Sequence, residues 1–153
     1  MSLNINIRHS TEKDLQDMVI LTDQLGYPTT FAEMKERYEH IAADDNFTTL
    51  VAEINGRVIG LIGLQTSYLY EKNGRHCRIM AMVVHEQYRG SGIGRQLLLS
   101  AEQWAAEHQV DSISLNSSNG ANREAAHEFY QEMGYTAGST GFSKKPQVLQ
   151  HNP

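Results

Sequence analysis

Hydrophobic and polar positions alternate at the start of the chain and then change to helical spacing. Leu3, Ile5 and Ile7 alternate with polar residues, which predicts a strand buried on one face. Residues 11–14 have the hydroxyl cap and the acidic residues typical of a helix start, and residues 30–33 form a capping box before a second helix. The pattern therefore predicts one strand followed by two amphipathic helices.

The middle of the chain has the pattern of strands. Segments 47–54 and 58–64 are rich in apolar and β-branched residues and flank Asn55-Gly56, a pair typical of a two-residue hairpin turn. Segment 78–84 is continuously apolar after its first residue. Such a run predicts a strand covered on both faces, near the centre of a sheet.

Helical and strand patterns alternate again towards the end of the chain. Apolar spacing predicts a helix from Ile93 to about His108, a short strand at 112–115 and a helix from about Asn122 to Met133. A last strand is expected from Tyr135 onward, including Phe142. The order β-α-α-β-β-β-α-β-α-β predicts an α/β sandwich around a mixed, mostly antiparallel sheet.

Composition narrows the class of protein. The length of 153 residues suits one domain, expected over residues 1–145, with a flexible tail at 146–153. The net charge of −5 argues against a general nucleic-acid binder. The single cysteine, Cys77, precludes an internal disulfide. Because no apolar run approaches the roughly 20 residues needed to cross a bilayer and no secretion signal is evident, a cytoplasmic protein without membrane contact is expected.

A glycine-rich turn between segment 78–84 and the next helix is the main chemical signal. It consists of Arg89, Gly90, Ser91, Gly92, Ile93 and Gly94. Backbone N–H groups at a helix start attract anions, and glycine lets a phosphate approach closely. The dinucleotide fingerprint fails in both frames, at Arg95 and at Leu97, and the lysine and hydroxyl of a P-loop are absent. A pyrophosphate in some other setting remains.

Two motifs resemble those of a known superfamily. They are Arg89-x-x-Gly92-x-Gly94 and, downstream, Asn122-x-x-Ala125 followed by Phe129-Tyr130-x-x-x-Gly134-Tyr135. Together they resemble the acyl-CoA site of the GNAT N-acetyltransferases, and the element order fits that fold over nearly the whole chain. Segments 25–28 and 141–144 are similar to a bacterial small-molecule branch that includes aminoalkylphosphonate and aminoglycoside N-acetyltransferases.

The resemblance implies a GNAT-like three-layer α/β sandwich that uses acetyl-CoA as acetyl donor. It implies that the amides of residues 89–94 hold the pyrophosphate and that the backbone of Met82, Val83 and Val84 pairs with the pantetheine arm. The Val83 N–H is expected to polarise the thioester carbonyl. An amine would then attack directly, without a covalent intermediate.

Further roles follow from the same resemblance. Tyr130 matches the tyrosine that protonates the leaving thiolate, although its position also suits a half-buried aromatic on a helix face. Asn122 matches a cofactor contact, although a helix N-cap explains it nearly as well. A homodimer is consistent with the family.

The base that deprotonates the amine is not evident, because the segment before the glycine turn contains no acid. His76, His85 and Glu86 flank it as candidates. His76 is expected at the surface, and His85 and Glu86 on a solvated loop. Cys77 is expected to be a buried structural thiol rather than a nucleophile. The seven histidines show no paired ligand spacing, so no metal site is expected.

The function expected from these features is transfer of acetyl from acetyl-CoA to the primary amine of a small molecule, with acetylation of protein lysine as an alternative that differs only in the acceptor. The net negative charge suits a cationic amine in either case. A second alternative is a non-catalytic acyl-CoA-binding sensor or scaffold, which the absence of a strand acid leaves open, whereas Tyr130 and the intact glycine turn favour the enzyme.

Overall fold

The computed structural model describes residues 4–116, 123–138 and 142–147. The strands are β1 (Asn6–His9), β2 (Phe47–Ile54), β3 (Arg57–Tyr68), β4 (Arg75–Val84) and β5 (Val110–Leu115). The helices are α1 (Leu15–Leu25), α2 (Phe31–Ala42), α3 (Ile93–Glu107) and α4 (Arg123–Glu132). This order confirms the sequence-based prediction from the first strand through the last helix.

The five strands form one sheet in the order β1-β2-β3-β4-β5. Pairing is antiparallel from β1 through β4, whereas β5 runs parallel to β4. The crossover from β4 to β5 is α3, since a parallel neighbour needs a long connection. The predicted mixed, mostly antiparallel α/β sheet is therefore confirmed.

Helices cover both faces of this sheet. On one face, Leu61 of β3 and Val83 of β4 pack with Leu21 of α1. On the other face, a Cβ added at Gly60 of β3 would meet Leu97 of α3. A second core cluster joins α2 to α1, through Leu15, Met18, Met34 and Tyr38. The sheet is thus the middle of three layers, with α1 and α2 on one side and α3 on the other.

The second helix begins at the predicted capping box. The Thr30 hydroxyl accepts the Glu33 N–H at 3.1 Å, and the Glu33 carboxylate accepts the Thr30 N–H at 2.9 Å. Two helix-terminal donors are satisfied by side chains within one turn. These hydrogen bonds also lower the pKa of Glu33, because they favour its charged form.

The apolar strand differs in one respect from its prediction. Among the described strands, β4 is interior, with β3 on one side and β5 on the other, as expected. Met80 is 47% exposed, so the run is not covered on both faces along its whole length. The continuous apolar pattern was therefore misleading at the position where β4 carries an irregularity described below.

The strand expected after α4 is not found among the residues described there. Residues 135–138 and 142–147 contain no strand, and Phe142 is exposed. The chain divides into two compact units, Met1–Leu115 and Asn116–Pro153. All five strands belong to the first unit, and α4 belongs to the second.

A network of ion pairs connects β1 to the start of α1. The Arg8 guanidinium donates to both carboxylate oxygens of Asp14 at 2.9 Å and to Glu53 of β2 at 3.2 Å. Asp14 is buried and also accepts the Thr11 N–H at 2.8 Å. The Arg8 hydrogen bonds are the main reason that the pKa of Asp14 lies below its usual range.

Replacement of Asp14 by asparagine should lower the free energy of unfolding by about 1.5–3 kcal/mol, because charge-assisted bonds to a buried carboxylate are lost. Since the folded-state pKa is depressed, the carboxylate stabilises the fold above the unfolded pKa and ceases to do so as the pH falls through the folded value. Urea unfolding of wild type and Asp14→Asn should therefore differ at pH 7 and converge in acid, as the pH falls through the depressed pKa of Asp14.

The matched control for that substitution is Glu53→Gln, at the more exposed and longer arm of the same network. Glu53→Gln should lower the free energy of unfolding by less than about 1 kcal/mol. Equal losses for the two variants, or a difference between wild type and Asp14→Asn that persists in acid, would contradict the assignment.

A second position tests the turn before β4. Gly74 has φ +90°, and a Cβ there would overlap the Asp111 carboxylate, which accepts the Arg75 N–H at 3.1 Å. Gly74→Ala should therefore destabilise the protein by about 1–3 kcal/mol. Gly63→Ala, where a Cβ meets nothing within 4 Å and φ is not left-handed, should stay within about 1 kcal/mol of wild type in the same thermal and urea assays.

Candidate functional site

The glycine turn leads directly into the N-terminus of α3. The first backbone hydrogen bond of the helix runs from the Gln96 N–H to the Gly92 carbonyl at 3.1 Å. The N–H groups of Gly92, Ile93 and Gly94 precede it and so have no partner within the helix. The first turn of α3 contains no acidic residue. This end of a 15-residue helix therefore favours an anion through both its donors and its dipole.

Two glycines of the turn have backbone conformations that other residues adopt only with strain. Gly90 has φ +81° and Gly92 has φ +82°. A Cβ at either position would meet no atom within 4 Å, so these glycines are required by conformation rather than by crowding. Ser91 between them is also exposed. The backbone of the turn is thus open to a ligand.

Arg89 connects this turn to the end of β4. Its Nε donates to the Val84 carbonyl at 3.1 Å, while the residue as a whole stays exposed. The hydrogen bond spans the short helical turn at Glu86–Tyr88. The glycine turn and the last residue of the strand are therefore held in one local unit.

The pairing of β4 with β5 ends before β4 itself ends. Parallel pairing with β5 stops at Ile79 and Leu115, whereas pairing with β3 continues to Val84 and Gly60. Within the described part of the chain, the edge of β4 beyond Ile79 that faces away from β3 has no strand partner. We call this edge, residues 80–84, the open edge. It contains all three strand residues that were predicted to bind cofactor.

A β-bulge lies at the start of the open edge. Ile79 pairs with Leu64 and Ala81 pairs with Gly63, so Met80 is an extra residue without a partner on β3. Bulges turn side chains and amides away from the regular ladder and are common next to functional sites. The exposed Met80 side chain is explained by this irregularity.

The register determines which amides face the open edge. The His85 N–H donates to the Ile59 carbonyl of β3 at 2.8 Å. In an antiparallel ladder, bonded positions recur every second residue, so the Val83 N–H also faces β3. Those of Met82 and Val84 face the open edge instead. The ladder geometry therefore argues against Val83, which the sequence analysis named, as the amide that meets a ligand.

His85 was expected on a solvated loop, and that expectation was wrong. The residue is 5% exposed. Its Nδ1 accepts the Gln87 N–H at 3.1 Å, and its Nε2 lies 3.1 Å from an Arg57 nitrogen. Glu86 is exposed, as expected, and its N–H donates to the side-chain oxygen of Gln24 at 2.8 Å. These contacts fix the path of the chain from β4 towards the glycine turn.

His76 differs from its prediction as well. It is half-buried rather than at the surface, and both ring nitrogens are bonded: Nδ1 to the Ser112 hydroxyl at 2.6 Å and Nε2 to the Ser114 hydroxyl at 2.7 Å. Sequence reasoning missed both serines because they are 36 and 38 residues away and reach His76 only through parallel pairing.

Cys77 is a buried thiol, as predicted. Burial is the main cause that raises its pKa to about 11. The thiol therefore stays protonated near neutral pH and is a poor nucleophile.

Tyr130 lies on α4 in the second unit and is half-buried. Its ring makes edge contacts with Phe129 and Tyr135, with centroids 5.2 and 6.0 Å apart. Burial raises the pKa of its phenol, which keeps the hydroxyl protonated and able to donate. Asn122, the other predicted contact in this unit, lies outside the described residues.

Two further features concern the described residues only. Within 4–116, 123–138 and 142–147, no cluster of three or more histidine, cysteine or acidic side chains could hold a metal ion. None of the helices in those segments is both long and apolar enough to span a bilayer.

Comparison with known proteins supplies the family. Residues 15–135 match the family model of the acetyltransferase (GNAT) family. An aminoalkylphosphonate N-acetyltransferase of Salmonella typhimurium is 27% identical over 139 residues, which cover 90% of this chain and 89% of the relative.

Two solved structures are similar in both sequence and fold. A GNAT family acetyltransferase from Staphylococcus aureus is 31% identical, with a TM-score of 0.80 over 95% of this chain and 100% of its own. A transcriptional regulator from Bacillus halodurans is 26% identical, with a TM-score of 0.82 over 93% of this chain and 99% of its own. With a family model that matches most of its length, the chain belongs to the GNAT acetyltransferase family.

Proposed function

We propose that the protein transfers an acetyl group from acetyl-CoA to the primary amine of a small molecule, by direct attack within a ternary complex. The observation that carries this proposal is the continuity of two backbone sites. The exposed glycine turn at the N-terminus of α3 follows directly on the open edge of β4, and Arg89 links the two. One site suits a pyrophosphate, and the other suits an extended arm that contains amides.

The two sites fit the two halves of coenzyme A. Unpaired N–H groups at a helix N-terminus bind phosphate oxygens, and here residues 89–94 would hold the pyrophosphate. An open strand edge pairs with an extended chain through main-chain hydrogen bonds. Met82 and Val84 would provide the N–H groups for such pairing, while Val83 contributes its side chain to the core. Acetyl-CoA supplies the reactive thioester.

An amide of the open edge would stabilise negative charge on the thioester oxygen. The Met82 N–H faces the correct side, and Met80 at the bulge has no partner on β3. A preorganised N–H aimed at a developing oxyanion lowers the barrier without moving during the reaction. These two amides replace Val83 in the proposed role.

The acceptor class rests on the relatives. The Salmonella relative is named for N-acetylation of aminoalkylphosphonates, which are small molecules with a primary amine. We place the acceptor of this chain in the same broad class of small amines. The net charge of −5 favours the approach of cationic acceptors in general.

Tyr130 would donate the proton to the leaving thiolate. Its pKa, raised by burial, keeps the phenol protonated throughout the range in which the transfer would occur. Asn122 remains a proposed cofactor contact. We also propose a single functional domain over residues 1–145, a cytoplasmic location and a homodimer, in keeping with the family.

The glycine turn is tested by a pair of variants with matched backbone strain. Gly92→Ala places a side chain at φ +82° in the proposed phosphate site, and Gly56→Ala does the same at φ +80° in the β2–β3 hairpin. Gly92→Ala should weaken coenzyme A binding in calorimetry by about 10–100-fold, equivalent to one or two charge-assisted hydrogen bonds. Gly56→Ala should retain wild-type affinity despite a similar loss in melting temperature. Equal affinities for the two variants would contradict the phosphate assignment.

The proton donor is tested by Tyr130→Phe, with Tyr135→Phe as the control from the same aromatic group. Loss of a general acid should lower kcat about 100-fold or more, whereas coenzyme A affinity should change little. Release of free thiol from acetyl-CoA, followed with a panel of primary amines, measures the rate. An unchanged kcat for Tyr130→Phe would remove the residue from this role.

The same thiol assay separates the transferase from its alternatives. Tight coenzyme A binding without turnover on any small amine or peptide lysine would indicate a non-catalytic acyl-CoA-binding module. Turnover on peptide lysines alone would indicate a protein acetyltransferase.

A further inference from the structure

The proposed reaction requires a proton acceptor, because a primary amine is mainly an unreactive ammonium ion near neutral pH. We propose that His76 accepts this proton through the Ser114 hydroxyl. This inference rests on the proposed function and assigns its missing base to a cluster of His76, Ser112 and Ser114, which we call the histidine–serine cluster.

The position of the cluster follows from the register. His76 lies opposite Ser112, and Arg78 lies opposite Ser114, on the parallel β4–β5 pair. That pairing ends one residue further on, at Ile79 and Leu115, where the open edge begins. Ser114 is therefore the member of the cluster nearest the open edge, about 3.3 Å of strand before the pairing ends.

The cluster lies on the face of the sheet that carries α1 and α2. Gly60 of β3 faces α3, and Leu64, four residues further along the strand, lies on the same face. Side chains of paired residues share a face, so Ile79, which pairs with Leu64, also faces α3. Along β4, side chains then alternate between the two faces. His76 and Arg78 therefore point to the opposite face. An acceptor amine could approach the open edge from this side while the glycine turn holds the cofactor at the N-terminus of α3.

The hydrogen bonds suit a group that gains and loses a proton. A serine hydroxyl can donate or accept. In the Nδ1–H tautomer of neutral His76, Ser114 donates to Nε2 while the Nδ1–H donates to Ser112. In the imidazolium form, both serines accept. Both charge states thus keep every hydrogen bond, at the observed 2.6 and 2.7 Å.

The neighbours of His76 come from β3, β4 and β5. The register places uncharged Ser67 of β3 and the two serines of β5 beside His76, and Arg78 on the same face of β4. Arg75 points to the other face, where its guanidinium donates to Thr66 and to the His108 carbonyl. Among the described residues, α1 and α2 contribute no hydrogen bond or ion pair to this ring. The two hydrogen bonds of the ring go to uncharged serine hydroxyls, so no ion pair with a carboxylate is among its described contacts.

The ammonium passes one proton to the Ser114 oxygen as the Ser114 proton moves to His76 Nε2. The neutral amine then forms the N–C bond to the acetyl carbon, and the C–S bond breaks. The thiolate takes a proton from Tyr130, and the second amine proton is lost to solvent. Tyr130 regains a proton from solvent and His76 gives up its own, so both side chains return to their starting state. The net products are the acetamide, free coenzyme A and one proton.

The experiment compares His76→Gln, Ser114→Ala and Ser112→Ala with wild type, using primary alkylamines that include 2-aminoethylphosphonate. Glutamine can still bond to both serines, so the fold should be kept. His76→Gln should lower kcat about 100-fold and change the shape of the pH–rate profile, because the proposed proton acceptor is removed. Ser114→Ala should lower kcat in the same direction, and Ser112→Ala much less. Coenzyme A affinity should be unchanged in all three.

A second acceptor excludes a purely structural role. A β,β-difluorinated analogue of the accepted amine has nearly the same shape but a much less basic amine, so it is largely unprotonated at a mildly alkaline pH at which the parent amine is still an ammonium ion. At that pH, His76→Gln should transfer acetyl to the analogue at close to the wild-type rate. An equal loss with both acceptors, or a wild-type pH profile in His76→Gln, would overturn the role of His76 while leaving the transferase intact. If wild type releases no thiol with any amine, the proposed function fails, and this inference fails with it.

Discussion

The proposed site depends on the fact that β4 pairs over different lengths with its two neighbouring strands. Along one side, the strand pairs with β3 over its full length, but along the other it loses β5 after Ile79. Backbone N–H and carbonyl groups are obligatory hydrogen-bonding groups, so an edge of this kind needs water or a ligand as partner. A strand edge that opens beside a helix N-terminus offers both amide pairing and anion binding within a few residues. Coenzyme A, the cosubstrate proposed above, would use both.

The division of labour between backbone and side chains follows from that arrangement. In the proposed site, the glycine turn and the open edge would act through amides, which constrains conformation more than side-chain identity. Side chains along β4 would then be free for packing, as with Val83, or for the proton transfer proposed for His76. This explains how a continuous apolar strand can belong to a polar site. The absence of an acid on the strand does not remove the chemistry, because a proton acceptor can come from the paired part of the same strand.

Local features of the sequence predicted their structures well, and features that depend on register did not. The Thr30 capping box and the Asn55-Gly56 hairpin involve residues within one turn of each other, so the sequence contains the whole interaction. The direction of the Val83 amide depends on how β4 aligns with β3 across the bulge at Met80. Alternation alone could not reveal this, because one extra residue reverses the facing of every amide beyond it.

His85 and His76 also show that sequence patterns do not predict contacts between distant parts of the chain. His85 follows an apolar strand and precedes a polar turn, which is typical of an exposed loop. It is buried, and two of its contacts lie on β3: Arg57, 28 residues earlier, is 3.1 Å from its Nε2, and its N–H donates to the Ile59 carbonyl. His76 is half-buried beside Ser112 and Ser114, which follow α3 in the sequence and lie next to His76 through the parallel pairing of β5 with β4. Spacing along the chain contains no signal for either contact. A histidine near a predicted active site should therefore be judged by the strands that will lie beside it, since these partners determine whether its ring is held ready for proton transfer or left in solvent.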